Sequence, residues 1–100
     1  MEIVDLLTED RVVDRLHAAS KKQVIQEISK RAAAVAGLDE RAVFDVLLER
    51  ERLGTTGVGK GVAIPHGKTA EIDGLYGLFA RLDQAIDFDA IDDQPVDLVF

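Results

Sequence analysis

A run of closely spaced glycines divides this chain into two parts with different patterns. Five of the eight glycines lie between Gly54 and Gly67, and glycine lets the backbone adopt positive φ angles and approach other groups closely. Helical patterns precede the run and strand-like patterns follow it. Residues 62–64 form a short apolar run that ends at Pro65 and His66. We therefore expect a strand that presents one imidazole beside a glycine-rich backbone.

Two helices are predicted before the glycine run. Ser20 and Gln23 have the spacing of a capping box, and Gly37 can end the first helix in a left-handed conformation. Asp39 can cap a second helix that runs to about Leu53. The predicted buried positions recur at steps of three or four residues: Val24, Ile25, Ile28, Ala32 and Val35 in the first helix, and Val43, Phe44, Val46 and Leu47 in the second.

Strands are predicted on both sides of these helices. Residues 3–7 and 11–16 are short apolar-rich segments, and either could form an edge strand. Residues 75–82 have the composition of a strand covered on both faces, so we expect that strand to be central. Residues 96–100 follow Pro95 and should form another strand. Helices and strands interleave without a repeating βαβ pattern, which predicts a single α/β domain with a mixed β-sheet flanked by helices.

No functional role is predicted for the acidic segment before the last strand or for Lys21 and His17. Residues 83–94 should form an acidic connection between the last two strands. Lys21 should face outward from the first helix, and His17 should be structural or exposed because no partner for it is visible in the sequence. The apolar anchors of the acidic connection are predicted to be Ile86, Phe88 and Ile91.

Composition narrows the class of protein. The chain has 100 residues, of which 47% are hydrophobic and 31% charged, as expected for one globular domain with a modest core. A net charge of -7 repels nucleic-acid backbones, and no apolar run approaches the roughly 20 residues of a membrane helix. The absence of cysteine fits a reducing compartment, and two histidines make no metal cluster. We expect a cytoplasmic protein without metal, cofactor, nucleic acid or membrane insertion.

One alternative for the glycine run is a nucleotide-binding loop. Residues 54–60 match the first seven positions of the G-x-x-x-x-G-K-[ST] loop. Gly61 stands where that loop needs a hydroxyl residue for Mg²⁺, and a helix precedes the run where a strand is required. The spacing of Gly57, Gly59 and Gly61 does not fit the dinucleotide-binding pattern either. Nucleotide binding is therefore the less favoured interpretation.

His66 is the candidate reactive group. An imidazole is largely neutral near neutral pH, so the lone pair of one ring nitrogen can attack phosphorus and form a phosphohistidine. Backbone N–H groups of the glycine run can bind the phosphoryl oxygens. Arg50, Lys60 or Lys68 can add positive charge, and a planar guanidinium suits two phosphoryl oxygens at once. A histidine that merely ends a strand is the alternative interpretation.

Two segments resemble a known family of phosphocarriers. Residues 50–67, RERLGTTGVGKGVAIPHG, and residues 86–99, IDFDAIDDQPVDLV, are similar to enzyme IIA domains of the fructose, mannitol and nitrogen-regulatory type. These domains belong to the bacterial phosphoenolpyruvate-dependent phosphotransferase system, and residues 86–97 resemble the nitrogen-regulatory branch most. The resemblance implies an α/β phosphocarrier that accepts a phosphoryl group from an HPr-type protein. It would then pass the group to an enzyme IIB or act in nitrogen or potassium regulation.

The resemblance also implies roles for individual residues. His66 matches the phosphorylated histidine of the family, Arg50 the active-site arginine sixteen positions earlier, and Thr56 a hydroxyl residue that lines the pocket. Gly57 and Gly59 are expected to bind the phosphoryl group through the glycine-rich backbone.

Three other charged residues near the motif are interpreted without the family. Lys68 is added as a phosphoryl-binding candidate because of its position after His66. Glu51 and Arg52 are expected to be ordinary charges of a last helical turn.

The chain departs from the resembling family in length. Enzyme IIA domains of this type are roughly half as long again and carry a second active-site histidine beyond the position of Phe100. We therefore expect residues 1–100 to be a single domain that lacks its C-terminal part. An uncovered apolar strand at residues 96–100 would then favour self-association. The alternative function is a non-enzymatic regulatory interaction module with the same fold.

Overall fold

The computed structural model describes residues 11–68 and 76–100. In these ranges the chain forms strand β1 (Val12–Leu16), helices α1 (Lys21–Ala36) and α2 (Glu40–Arg52), and strands β2 (Gly57–Gly59), β3 (Val62–Ala63), β4 (Phe79–Ile86) and β5 (Val96–Val99). The strand predicted at residues 3–7 lies outside the described residues. Neither helix has the length and hydropathy needed to span a bilayer, as far as the described ranges go.

The five strands form one mixed sheet in the order β1-β4-β5-β3-β2. β1 pairs in parallel with β4, and β3 in parallel with β5. β4 and β5 are antiparallel, as are β2 and β3. The predicted fold class is therefore confirmed, and among the described strands β1 lies at one edge of the sheet, as expected for residues 11–16.

Both helices begin at the predicted caps. The Ser20 side chain accepts a hydrogen bond from the Gln23 N–H at 3.2 Å, and Gln23 Oε1 accepts the Ala19 N–H at 2.6 Å. Asp39 accepts the Ala42 N–H at 3.1 Å. Gly37 ends α1 with a φ of 71°, the left-handed conformation that glycine adopts without strain.

Strand β4 differs from the prediction in its limits and its environment. It begins at Phe79 and continues to Ile86, which pairs with Val96 of β5, so part of the expected acidic connection belongs to the sheet. Ala80 and Leu82 are buried, whereas Arg81 is exposed. The prediction of a strand covered on both faces is wrong, because this alternation buries one face of β4 only.

The core lies between one face of the sheet and the helices. Phe88 is fully buried and Ile86 nearly so, as predicted, but Ile91 is 74% exposed and does not anchor its segment. Ile91 stands in a turn in which the Asp93 N–H bonds to the Ala90 carbonyl, and Ala90 is the residue that is buried there. The main core residues are Val13, Leu16, Val24, Ile25, Ile28, Ala63, Ala80, Leu82, Ile86, Phe88, Ala90, Val96 and Val99.

An apolar groove opens between the two helices and one end of the sheet. Its volume is about 330 Å³. Three residues of the predicted buried side of α2, Val43, Val46 and Leu47, line this groove and are only half-buried, and Phe44 packs half-buried against the core. Phe100, the last residue, also lines it. The groove is formed mainly by Ile28, Ala32, Val35, Val43, Val46, Leu47, Ile64, Tyr76, Leu78, Val99 and Phe100.

Candidate functional site

His66 follows β3 and Pro65 and has an exposed side chain. Its Nδ1 lies 2.9 Å from the carbonyl oxygen of Ile64. A carbonyl only accepts hydrogen bonds, so this contact requires the proton on Nδ1. In the neutral ring the lone pair is then on Nε2. Nε2 is therefore the ring nitrogen whose lone pair is not engaged in this hydrogen bond.

A surface depression brings His66 together with Arg50 and Lys68. The close approach depends on Gly67, since a Cβ atom there would lie 2.3 Å from Cγ1 of Val46 on α2. Any other residue at position 67 would require the Val46 side chain or the turn after His66 to shift away. Three of the predicted site residues share this depression.

Arg50 is available for an anionic ligand. Its Nη1 donates a hydrogen bond to the carbonyl oxygen of Gly54 at 2.9 Å. Within residues 11–68 and 76–100 no carboxylate forms an ion pair with it: Asp45 at the rim pairs with Arg41, and Glu49 pairs with Arg52, each at 3.3 Å. The remaining guanidinium N–H groups can therefore bind phosphoryl oxygens.

Thr56, Gly57 and Gly59 make contacts of their own and do not line this depression. Thr56 is 3% exposed, and its N–H and hydroxyl both donate to Glu51. Gly57 donates its N–H to Thr55 Oγ1, and a Cβ atom on it would lie 2.9 Å from Ala90. Their part in phosphoryl binding stays a prediction.

The turn between β2 and β3 is closed by a carboxylate. Asp92 accepts the Lys60 N–H at 2.9 Å and the Gln94 N–H at 3.1 Å. These backbone hydrogen bonds, that of Lys60 first, lower the pKa of Asp92. Gly59 adopts a φ of 104° in this turn, and Lys60 is exposed. A strand rather than a helix follows Lys60, so the flanking elements are not those of a nucleotide-binding loop.

The expectation that Glu51 is an ordinary surface charge is wrong. Glu51 is 7% exposed, and its carboxylate accepts the Thr56 N–H and the Thr56 hydroxyl, each at 2.7 Å. Lys21 Nζ lies 3.0 Å from the same carboxylate, so Lys21 does not simply face solvent. A sequence signal for this existed, because Glu51 stands four residues after Leu47 and continues the inward face of α2. Arg52 is exposed as expected.

The ionisation of Glu51 contributes to stability. Burial alone would raise the pKa of this carboxyl, but hydrogen bonds from the Thr56 side chain and backbone and the nearby Lys21 ammonium together lower it. A carboxyl whose pKa is lowered on folding stabilises the native state above its unfolded pKa. That stabilisation is lost as the pH falls through the lowered pKa.

His17, the other histidine, does not line the depression that contains His66. Its ring Nδ1 contacts Asp83 Oδ2 at 2.9 Å, and its side chain is exposed, in agreement with a structural or exposed role. His17 therefore serves as a natural control for His66.

Comparison with known proteins identifies the family to which the chain belongs. The family described as "Phosphoenolpyruvate-dependent sugar phosphotransferase system, EIIA 2" matches residues 5–100. This chain belongs to that EIIA family. A nitrogen regulatory protein of Bradyrhizobium diazoefficiens is 56% identical over 100 residues, which are all of this chain and 65% of that protein. The resemblance recognised in the sequence is thereby confirmed.

Solved structures agree with this assignment. Nitrogen regulatory protein IIA-Ntr from Neisseria meningitidis superposes with a TM-score of 0.92 at 38% identity, covering 98% of this chain and 67% of that one. The mannitol enzyme IIA of Escherichia coli, in its complex with phosphorylated enzyme IIB, has a TM-score of 0.80 at 21% identity over 93% of this chain and 66% of that one, which shows the fold alone. The chain spans less than two thirds of the Bradyrhizobium relative.

Proposed function

We propose that this EIIA chain is a cytoplasmic phosphohistidine carrier that accepts a phosphoryl group on Nε2 of His66. The donor is an HPr-type protein, and the group is passed to an enzyme IIB or serves as a signal in nitrogen or potassium regulation. Family membership and the nitrogen regulatory relatives support the general role. The observation that carries the assignment to one atom is the 2.9 Å contact of His66 Nδ1 with the Ile64 carbonyl, beside Arg50.

The chemistry of transfer follows from these contacts. The Nε2 lone pair attacks phosphorus, so that a new N–P bond forms while the N–P bond of the donor phosphohistidine breaks and its electron pair returns to the donor nitrogen. The His66 ring becomes more positive as the bond forms, which strengthens the hydrogen bond from Nδ1–H to Ile64. Arg50 and Lys68 lie where they can bind the phosphoryl oxygens.

The attachment atom gives a direct test. We expect phosphoenolpyruvate and the upstream relay proteins to add one acid-labile phosphoryl group, and nitrogen and phosphorus NMR to locate it on Nε2, because Nδ1 holds the proton. Attachment to Nδ1 would contradict the tautomer assigned here. If neither this chain nor a version extended as described below acquires acid-labile phosphate, the interaction-module alternative gains support.

We also propose that residues 1–100 are part of a longer domain whose following segment covers the apolar groove. The greater length of the relatives and the apolar lining around Phe100 support this. An uncovered apolar surface next to a sheet promotes association between copies.

The expected result is that the 100-residue chain self-associates and transfers phosphate slowly. Fusion of the C-terminal third of the Bradyrhizobium relative should give a monodisperse, more stable and more active protein. Sedimentation, thermal unfolding and phosphorylation of the two proteins side by side measure this. A fully active, monodisperse 100-residue monomer would refute the proposal.

A further inference from the structure

Three hydrogen bonds and the backbones of Thr56 and Ile64 connect Glu51 to His66. Its carboxylate accepts the Thr56 N–H at 2.7 Å. The Thr56 carbonyl accepts the Ile64 N–H at 2.9 Å. The Ile64 carbonyl accepts His66 Nδ1–H, also at 2.9 Å. Two backbone segments therefore link a buried carboxylate to the imidazole.

The carboxylate at the start of this series is itself held firmly. The Thr56 hydroxyl bonds to it at 2.7 Å, and Lys21 Nζ lies 3.0 Å away. The Lys21 ammonium also lies 5.0 Å from the centre of the Phe88 ring and 3.5 Å from Asp89. Removing one partner from a buried ion pair leaves a desolvated charge, which is unfavourable. Glu51 is thus confined to one position.

Arg50 belongs to the same unit. It precedes Glu51 in the last turn of α2, and its Nη1 donates to the carbonyl of Gly54 at 2.9 Å. The N–H of Gly54 in turn donates to the carbonyl of Glu51 at 3.2 Å. The segment that Glu51 holds against the helix therefore orients the guanidinium of Arg50 as well as the ring of His66.

We propose that Glu51 is a positioning residue for phosphoryl transfer. By holding residues 54–57 against the end of α2, it keeps the proton on Nδ1 of His66, the lone pair on Nε2, and Arg50 beside the acceptor. This inference rests on the proposed role of His66 as the acceptor. The competing explanation is that Glu51 stabilises the fold and has no effect on the site.

The test compares Glu51→Gln with Glu40→Gln, an exposed glutamate on the same helix that does not line the depression around His66. Glu51→Gln keeps the size of the side chain but loses the charge and one strong acceptor. We expect its single-turnover rate with a phosphorylated HPr-type donor to fall about tenfold to a hundredfold, as for a small displacement of reacting groups. The donor concentration at half-maximal rate should stay unchanged. Nitrogen NMR should show a mixture of His66 tautomers, whereas Glu40→Gln should match the parent protein in both measurements.

All rates are measured well below the melting temperature of each variant, so that a loss of stability alone does not change them. A Glu51→Gln protein with the parental rate and the parental tautomer, whatever its melting temperature, overturns the proposal. If that variant does not fold, Lys21→Met is used to test the proposal instead. Its control is Lys22→Met, because Lys22 is exposed. Lys21→Met should show the same two changes to a smaller extent, and parental behaviour in it overturns the proposal too.

Failure of the proposed function gives a different result. If the parent protein, with its C-terminal extension, is not phosphorylated at all, the carrier role is wrong. The tautomer of His66 in Glu51→Gln still reports whether Glu51 orients the ring, because that measurement needs no phosphoryl donor.

Discussion

Replacement of His66 by alanine is expected to abolish phosphorylation and to leave the fold intact. The side chain is exposed, and its hydrogen bond joins it to a carbonyl only two residues away, so it contributes little packing. The loss of unfolding free energy should be well below the about 2–5 kcal/mol that follows truncation of a large core side chain. Phosphorylation is checked by incubation with phosphoenolpyruvate and the relay proteins, followed by measurement of the intact mass. The stability of the fold is checked by thermal unfolding.

His17→Ala is the matched control. His17 is also exposed and makes one side-chain contact, with Asp83, so its removal perturbs the surface to a similar extent. The His17 variant should be phosphorylated at the parental rate. Full phosphorylation of the His66 variant, or loss of phosphorylation in the His17 variant, would show that the acceptor was assigned to the wrong histidine.

Arg50→Lys is expected to slow transfer on the order of tenfold to a thousandfold, comparable with the removal of one donor to a transition state. Lysine keeps the positive charge but loses the planar guanidinium, which can bind two phosphoryl oxygens at once and whose Nη1 donates to the Gly54 carbonyl here. Single-turnover transfer from a phosphorylated donor measures the effect. Circular dichroism should show an unchanged fold.

Arg52→Lys provides the comparison for that substitution. Arg52 lies two residues further along α2, is exposed and pairs with Glu49 at the surface. Exchange of its guanidinium for an ammonium should not affect transfer, because surface ion pairs contribute little. Equal rates for the Arg50 and Arg52 variants would reduce Arg50 to an ordinary residue at a helix end.

Local sequence rules predicted the parts of the fold that depend on neighbouring residues. The caps at Ser20 and Asp39 and the stop at Gly37 each depend on contacts within a few positions, and all three formed as expected. The limits of β4 were not predictable in this way. Its last pair, Ile86 with Val96, joins positions whose spacing depends on the turn between them.

For the candidate site, residue type and motif selected residues that the structure brings together, and they did not predict the contacts that support those residues. His66, Arg50 and Lys68 could be chosen from residue type and motif. The burial of Glu51 could not, because it requires Lys21 from the beginning of α1 and Thr56 from the loop to meet at one carboxylate. The spacing from Leu47 places Glu51 on the inward face of α2, but charged residues are almost never fully buried unless paired, so this spacing does not predict burial until the partner is known.

The close approach of Gly67 to Val46 bears on how much conformational entropy the site would lose on binding a phosphoryl group. A Cβ atom at Gly67 would lie 2.3 Å from Cγ1 of Val46, so the backbone after His66 lies close to the helix that carries Arg50. Each of the two side chains also makes a hydrogen bond to a carbonyl two or four residues away, so part of their ordering occurs during folding. For a phosphoryl group bound at the proposed acceptor His66, correspondingly less of the binding free energy would be needed to order the site.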